Sequence, residues 1–569
     1  MHDVVITGGL VIDGTGAART AADIAIDDGR ITAIGCDVGA GRRRIEADGR
    51  VVAPGFVDVH THLDVQGFWD PMLTPSPLHG VTTVLGGNCG FTVAPLDGDA
   101  AGYLMRMLAK VEGMPLEALE QGVPWDWTST ADYLDRLDGR LALNAGFSVG
   151  HSALRRVVMG PAAIERPATT DEIDRMAALL RAGLEGGAIG FSSTWSSTHN
   201  DADGRPVPSR WATASELIAL ASVCGDFEGT SLEFLPGVGR WDDQTQQVMI
   251  DMTVAARRPL NWNIISVSAQ SRHHWQEKLA LSDRARAAGG KIVGLVIPRS
   301  PAARFCFRSG FVLDAIPGWE AAMALPPAAK LALLRDTAAR ARLDEDSRRP
   351  SPMRHLAEWG AMRIVETFTK PTKRYEGRTV ADIATEEGKA PFDALVDIVV
   401  ADDLRTSFCF ARADDSDADW AARAEVWRDP RAVVGASDAG AHLDMLATFS
   451  FSTDLLAFGA REHRLLSTEE AVRLLTSVPA DLYGLRQRGR LAEGWSADIV
   501  VFDEATVEPE EVVTRFDLPG GAGRLYAGAR GVDHVLVNGE PIVADRTLTQ
   551  STPGTLLRSG RDTVTPALS

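Results

Sequence analysis

The chain has 569 residues, 45% of them hydrophobic and 24% charged, values that exclude disordered and fibrous classes. Its 58 Lys+Arg against 77 Asp+Glu leave a formal net charge of −19. Phosphate binding wants a basic surface, so the balance argues against nucleic-acid and anionic-membrane partners.

A single core rarely grows beyond about 250–300 residues, so a large domain with a smaller one is expected. Five scattered cysteines with no CxxC pair fit neither a disulfide framework nor a zinc ribbon. The start, MHDVVITGGLVIDG, lacks a basic region followed by an apolar core, and no stretch approaches ~20 uninterrupted apolar residues. These features predict a soluble, cytoplasmic protein.

Taken in chain order, the first fifty residues alternate short apolar runs with Gly or Asp-Gly turns: DVVITGG, LVIDGTG, ADIAIDDG, RITAIG and RRIEADGRVVAPG. They read as a small antiparallel β unit. SADIVVFD (496–503) and GVDHVLVNGEPIV (531–543) read alike at the far end, so residues 1–54 and 485–569 are expected to pair into one β-sandwich domain. Residues 55–484 change to repeated strand then helix. Strand candidates are GFVDVHTH, GVTTVLGG, LALNAGFSVG, AIGFSS, GTSLEFLPG, LNWNIISVSA, KIVGLVIP and AVVGASDAG. Helix candidates include DEIDRMAALLRAGLEGG, ATASELIALASVCGDF, DDQTQQVMIDMTVAARR and TEEAVRLLTSVP, with apolar residues at three-to-four spacing and capping residues at TASEL and STEEAV. The pattern predicts an α/β fold, a (β/α)8 TIM-like barrel. Stretches near 97–127 and 300–350 exceed ordinary loop lengths and are candidate lids.

A barrel places chemistry at the carboxyl ends of its strands. His60 and His62 end GFVDVHTH two residues apart, so alternation puts both imidazoles on one face, the usual start of a zinc site. Cys89, in the Asn88-Cys89-Gly90 turn, closes the next strand and offers either a thiolate ligand or a small buried hydrophobe. Asp438 ends a late strand and can bind a metal, accept a proton, or cap a helix. His442 and Asp444 follow as supporting or substrate-contacting residues.

The segments VVAPGFVDVHTH, VTTVLGGNCG, GMPLEALEQGVPWDW, VGHSALRRVVMG, GAIGFSS and RGRLAEGWSADIVVFD resemble the amidohydrolase superfamily. More narrowly, they resemble its N-acyl-D-amino-acid deacylase (D-aminoacylase) branch. The resemblance covers nearly the whole chain. It implies a zinc-dependent hydrolase whose metal site lies among His60, His62, Cys89 and Asp438. Its members carry two further histidines, ending strands five and six. Here strand five offers Ser231 or Glu233, and strand six offers Asn261, Asn263, Ser266 or Val267.

Three readings stay open. Glu233 replaces the strand-five histidine, which is acceptable for zinc and tilts the site towards manganese or iron; or Asp438 and the histidines work as a metal-poor acid–base set; or the barrel binds a ligand without hydrolysing it. In the first, metal on His60, His62, Cys89 and Glu233 activates water, and Asp438 shuttles the proton. The substrate is then a small-molecule amide, an N-acyl amino acid or a related linear or cyclic amide. Hydrolysis of a different bond is the alternative. His151, Asn263 and His442 are candidate substrate contacts, and Arg304 and Arg308 are candidates for holding a carboxylate. Gly190–Asp201 is a candidate substrate-lining loop, while Trp195, Trp211, Trp262 and Trp275 are either pocket or core. Barrel hydrolases often self-associate, which leaves a homo-oligomer open.

Overall fold

The computed structural model describes residues 1–351, 353–410 and 415–568. Eight parallel strands form the predicted barrel: β1 (Phe56–Asp58), β2 (Val81–Gly86), β3 (Asn144–Phe147, resumed at Val149–Gly150), β4 (Gly190–Thr194), β5 (Ser231–Leu235), β6 (Leu260–Trp262), β7 (Ile292–Val296) and β8 (Ala432–Val434). Each coincides with an expected apolar run. Every residue of these strands is buried, as strands covered on both faces require.

The outer helices begin where the sequence offers caps. Thr169 and Glu172 form a capping box for Thr170–Glu185, and Thr213 and Ser467 cap Ala214–Cys224 and Thr468–Leu475.

Closure between β8 and β1 uses residues past the regular strands. The His62 N–H donates to the Ala439 carbonyl (2.7 Å) and the Asp438 N–H to the His60 carbonyl (3.1 Å), so Thr61 and Ala439 pair in parallel. One residue before Asp438, Ser437 donates from its hydroxyl and its N–H to the buried Asp58 carboxyl group. The backbone seam is therefore cut into the same residues that carry the candidate chemistry.

Strands from both chain ends build a nine-stranded sheet in which Val51–Pro54 pairs with Ile499–Phe502. The strand His2–Val11 shifts register between Ile6 and Gly9, pairing with Gly41–Glu46 before the shift and Val51–Pro54 after it. Such a bend lets one strand serve two layers. Alternation then sorts the side chains. Val52, Ile499 and Val501 join Ile24, Ile26 and Leu536 in the domain's own core, while Val51, Ala53, Val500 and Phe502 pack with the barrel's outer core. This is the β domain predicted beside the barrel.

Residues 555–563 run under the barrel. Thr555 and Leu557 bond the backbone of Ala145, and Thr563 bonds Gly229 and pairs with Leu485. They cover the end opposite the catalytic face.

Between β7 and β8 the chain forms a three-stranded antiparallel sheet, Arg304–Cys306 beside Ser407–Phe410 beside Met362–Glu366, over an apolar core holding Phe307, Trp319, Trp359, Phe392 and Phe408. After β2, the helices Ala100–Val111 and Leu116–Gly122 bracket the buried Glu112. Among the described residues no helix is long and apolar enough to cross a membrane.

Gly440 tests the seam. Its φ is +94°, and a Cβ there would lie 2.4 Å from the His62 carbonyl oxygen. Gly139 has φ +70° but open space around it. Gly139→Ala should cost about 1–2 kcal/mol, the left-handed penalty alone. Gly440→Ala should cost clearly more in denaturant unfolding, because the seam must also part; equal costs would mean that the β1–β8 closure carries no strain.

Candidate metal centre

His60 and His62 leave β1 on the face that also carries Asp58, and both rings are buried. Their Nε2 atoms lie 3.5 and 3.2 Å from Asp438 Oδ1. Asp438 is held there by the seam, in a left-handed backbone conformation (φ +58°), with part of its side chain open to the barrel mouth.

Cys89 also adopts a left-handed conformation (φ +55°), which is unusual for a non-glycine residue and persists only when surroundings over-determine it. Three neighbours do so. Asn88 Nδ2 donates to the Thr61 and Leu85 carbonyls, the Gly90 N–H to Ser192 Oγ on β4, and the Cys89 N–H to Glu233 Oε2 on β5 (2.7 Å). The thiol is thereby aimed at His60, with Sγ 3.7 Å from Nε2, and ligand atoms of His60, His62 and Cys89 all lie within 4.8 Å of one another. Nitrogen and sulfur on one tetrahedral zinc stand about 3.6 Å apart, given bonds of about 2.0–2.1 and 2.3 Å. The donor set fits a borderline-soft divalent ion.

The charge distribution fits as well. Four buried carboxyl groups (Asp58, Asp64, Glu112 and Glu233) join Asp438 around two imidazoles, and none is paired with a lysine or arginine among the described residues. Burial drives Glu112 up to about 7, Glu233 to about 8, Asp58 to about 7 and Asp64 to about 6. Burial also raises the Cys89 thiol well above its ordinary value and lowers His60. For His62 burial is outweighed by Glu112, Asp438 and Asp64, which push it up to about 10. Burial likewise opposes the Asp438 carboxylate, yet hydrogen bonds from His60 and His62 hold it well below the usual range. A bound dication reverses each of these burial penalties on an anionic ligand.

The other sequence candidates divide. Asn263 reaches the centre, its Nδ2 standing 3.2 Å from His60 Nε2 and 3.9 Å from Cys89 Sγ, with Oδ1 unpartnered. Glu233 has one oxygen on the Cys89 amide and Oε1 buried without a partner. His442 sits at the rim, Nε2 3.7 Å from Asp438 Oδ2.

His151 is different: it is fully buried, with Nδ1 on Ser193 Oγ (2.8 Å) and Nε2 on Glu216 (3.0 Å), which Arg155 also binds. Both ring nitrogens are spent inside the fold, so it offers no polar atom to a substrate. Arg304 is likewise committed, to the Val512 carbonyl (2.6 Å) and Glu366 (3.4 Å). Arg308 lies in the β7–β8 insertion, outside the lining of the barrel-mouth cavity.

Sequence reasoning missed Asp58, Glu112 and Arg423, and reached His199 only as part of the Gly190–Asp201 loop. Asp58 had a signal, since it stands two residues before His60 on the same strand face. Glu112 comes from the β2 insertion, its Oε2 3.6 Å from His62 Nε2. His199 hydrogen-bonds Thr194 through Nδ1 (3.0 Å) and packs on Phe91, and burial pushes it down to about 3. A cavity of about 250 Å3 opens beside Asp438 and Asn263, walled by Ile264–Val267, Pro301, Leu446 and the buried Arg423.

The comparisons agree with this geometry. Residues 43–543 match the family model described as the amidohydrolase family. D-aminoacylase of Alcaligenes xylosoxydans xylosoxydans is 28% identical over 566 residues, covering 98% of this chain and 97% of that one. N-acyl-D-glutamate deacylase of the same organism is 30% identical over 560 residues, covering 94% and 93%. The crystal structure of N-acyl-D-glutamate deacylase from Bordetella bronchiseptica, complexed with zinc and a phosphonate mimic of the tetrahedral intermediate, superposes with a TM-score of 0.64 at 27% identity, covering 98% of this chain and all of that one. With the family matched over most of its length and a divalent-metal donor set at the barrel mouth, this chain belongs to the amidohydrolase family and is a metal-dependent hydrolase of amide carbon–nitrogen bonds.

Proposed function

We propose that the protein hydrolyses the acyl amide bond of an N-acyl amino acid, using zinc held by His60, His62 and Cys89 with Asp438 as the proton carrier. The observation that carries this reading is the convergence, across the β1–β8 seam, of two imidazoles, a thiol and a carboxylate on one point beside a cavity of about 250 Å3. The relatives named D-aminoacylase and N-acyl-D-glutamate deacylase supply the substrate class. Two imidazoles with a thiolate favour zinc over harder-ligand metals.

When bound there, a divalent ion supplies Lewis-acid polarisation of the scissile carbonyl and of the attacking water. The chain's own residues do the rest. Asp438 lines the cavity. Its Oδ atoms can take the proton from the attacking water and return it to the leaving nitrogen. Without the ion, His60 and His62 contact Asp438 Oδ1 through the Nε2 atoms that would hold it, while His442 Nε2, 3.7 Å from Oδ2, can keep its contact with the ion bound. Glu233 fixes the Cys89 turn through the backbone amide, and its free Oε1 is available to the same ion. Asn263 lines the cavity beside Asp438.

Asp438→Asn should keep its bound metal while kcat/KM falls by about 10²–10⁴. His60→Ala or Cys89→Ala should lose metal and activity together, read by elemental analysis beside an amide-hydrolysis assay. Unchanged turnover in both Asp438→Asn and His60→Ala, or a metal-loaded wild type that cleaves no N-acyl amino acid, would sink the proposal.

Glu233→Gln should weaken metal binding about 10–100-fold, since residues that orient a ligand act on that scale. Competition with a chelator measures it, and wild-type affinity in this variant would reduce Glu233 to a packing role.

A further inference from the structure

Among the described residues, Arg423 is the one buried cation on the wall of the mouth cavity. It lies on the helix Asp417–Arg428, which leads into β8, and is 3% exposed. Its Nη2 donates to Asp415 (2.7 Å) and the guanidinium packs on Trp420 (4.8 Å), but Nη1 is buried with no hydrogen-bond partner among the described residues. The helix is fixed so that this side chain faces inward. One turn earlier, Asp419 Oδ1 accepts the Ala269 N–H from the loop after β6, the loop whose residues Ile264–Val267 wall the same cavity. A buried guanidinium with one nitrogen unsatisfied is costly. Such a group persists where a ligand completes it, and a planar fork of donors matches a carboxylate. Among the described residues, Asp438 is the only other charged side chain lining the cavity, so the space between them is suited to a molecule with a scissile amide at one end and an anionic group at the other.

We infer that Arg423 is the specificity-determining residue for a carboxylate on the substrate; neither Arg304 nor Arg308 lines this cavity. This deepens the proposed deacylase reading and rests on it for the position of the amide.

The test separates the two. Equilibrium binding is measured on the full-length, metal-containing protein with both enantiomers of N-acetylleucine, N-acetylleucinamide and N-acetylglutamic acid α-amide, the last carrying a side-chain carboxylate only. Wild type should bind one of the acids about 10–100-fold more tightly than N-acetylleucinamide, and the preferred acid tells an α-carboxylate from a side-chain one. Arg423→Gln should abolish that advantage and leave the amide's affinity unchanged. Arg423→Lys, which keeps the charge beside Asp415, should restore part of it with metal content unaltered. Equal affinity of acids and amide for wild type, or an equal loss for both in Arg423→Gln and Arg423→Lys, overturns the assignment. Absence of turnover with the acid preference intact sinks the deacylase reading alone.

Discussion

The two hydrogen bonds that close the barrel, His62 N–H to Ala439 and Asp438 N–H to His60, fix the geometry of the whole centre. They set the register of β8 against β1, and register decides which side chains share a face. A slip of one residue would turn Asp438 away from the imidazoles and bring Ser437 or Ala439 in its place. The seam therefore supplies structural closure and catalytic alignment with the same backbone atoms. It does so at a cost in backbone conformation: Ala436, Asp438 and His442 all have positive φ within seven residues. Strain of this kind is tolerated only where neighbours over-determine it. Here they do so through the Asp58–Ser437 pair below and the His442 N–H bonded to the Glu112 carbonyl above.

Electrostatics then explains why a cation belongs in the centre. A buried carboxyl group without a cationic partner is driven towards its neutral form, and Glu112 and Glu233 show that pressure while Asp438 escapes it through the two histidines. The thiol of Cys89 is pushed up by burial first, with repulsion from Glu233, Glu112 and Asp438 added to it. A thiolate, two imidazoles and clustered acids are mutually incompatible in a low dielectric unless a dication sits among them.

Range along the chain decided which features were legible in the sequence. The strand ends were readable because two-residue alternation is a local property, and His60, His62, Cys89 and Asp438 each close a local apolar run. Helix starts were readable for the same reason, as at Thr213 and Ser467. Partners far along the chain were not. His151 looked free until Glu216, 65 residues on, took its Nε2. Arg304 looked available until Val512 claimed it from the far end of the chain. Arg423 was hidden by the opposite effect: on the helical face of WAARAEVW it reads as one more solvated arginine, and only tertiary packing shows it buried in the wall of a cavity. Glu233 was singled out as a ligand substitute, yet its bond to a backbone amide has no sequence signature at all.

The mouth also couples the two insertions to the chemistry through one imidazole. His442 stacks on Phe311 from the β7–β8 insertion (ring centroids 5.0 Å apart) and takes its backbone hold from Glu112 of the β2 insertion. Its Nε2 faces Asp438 at 3.7 Å. Glu112 in turn places its carboxyl group against His62. Elements far apart in sequence thus meet on Asp438 and on His62. Packed side chains transmit displacement because interiors have little free volume to absorb it. Any rearrangement of either insertion that moves Phe311 or Glu112 must therefore be felt at Asp438.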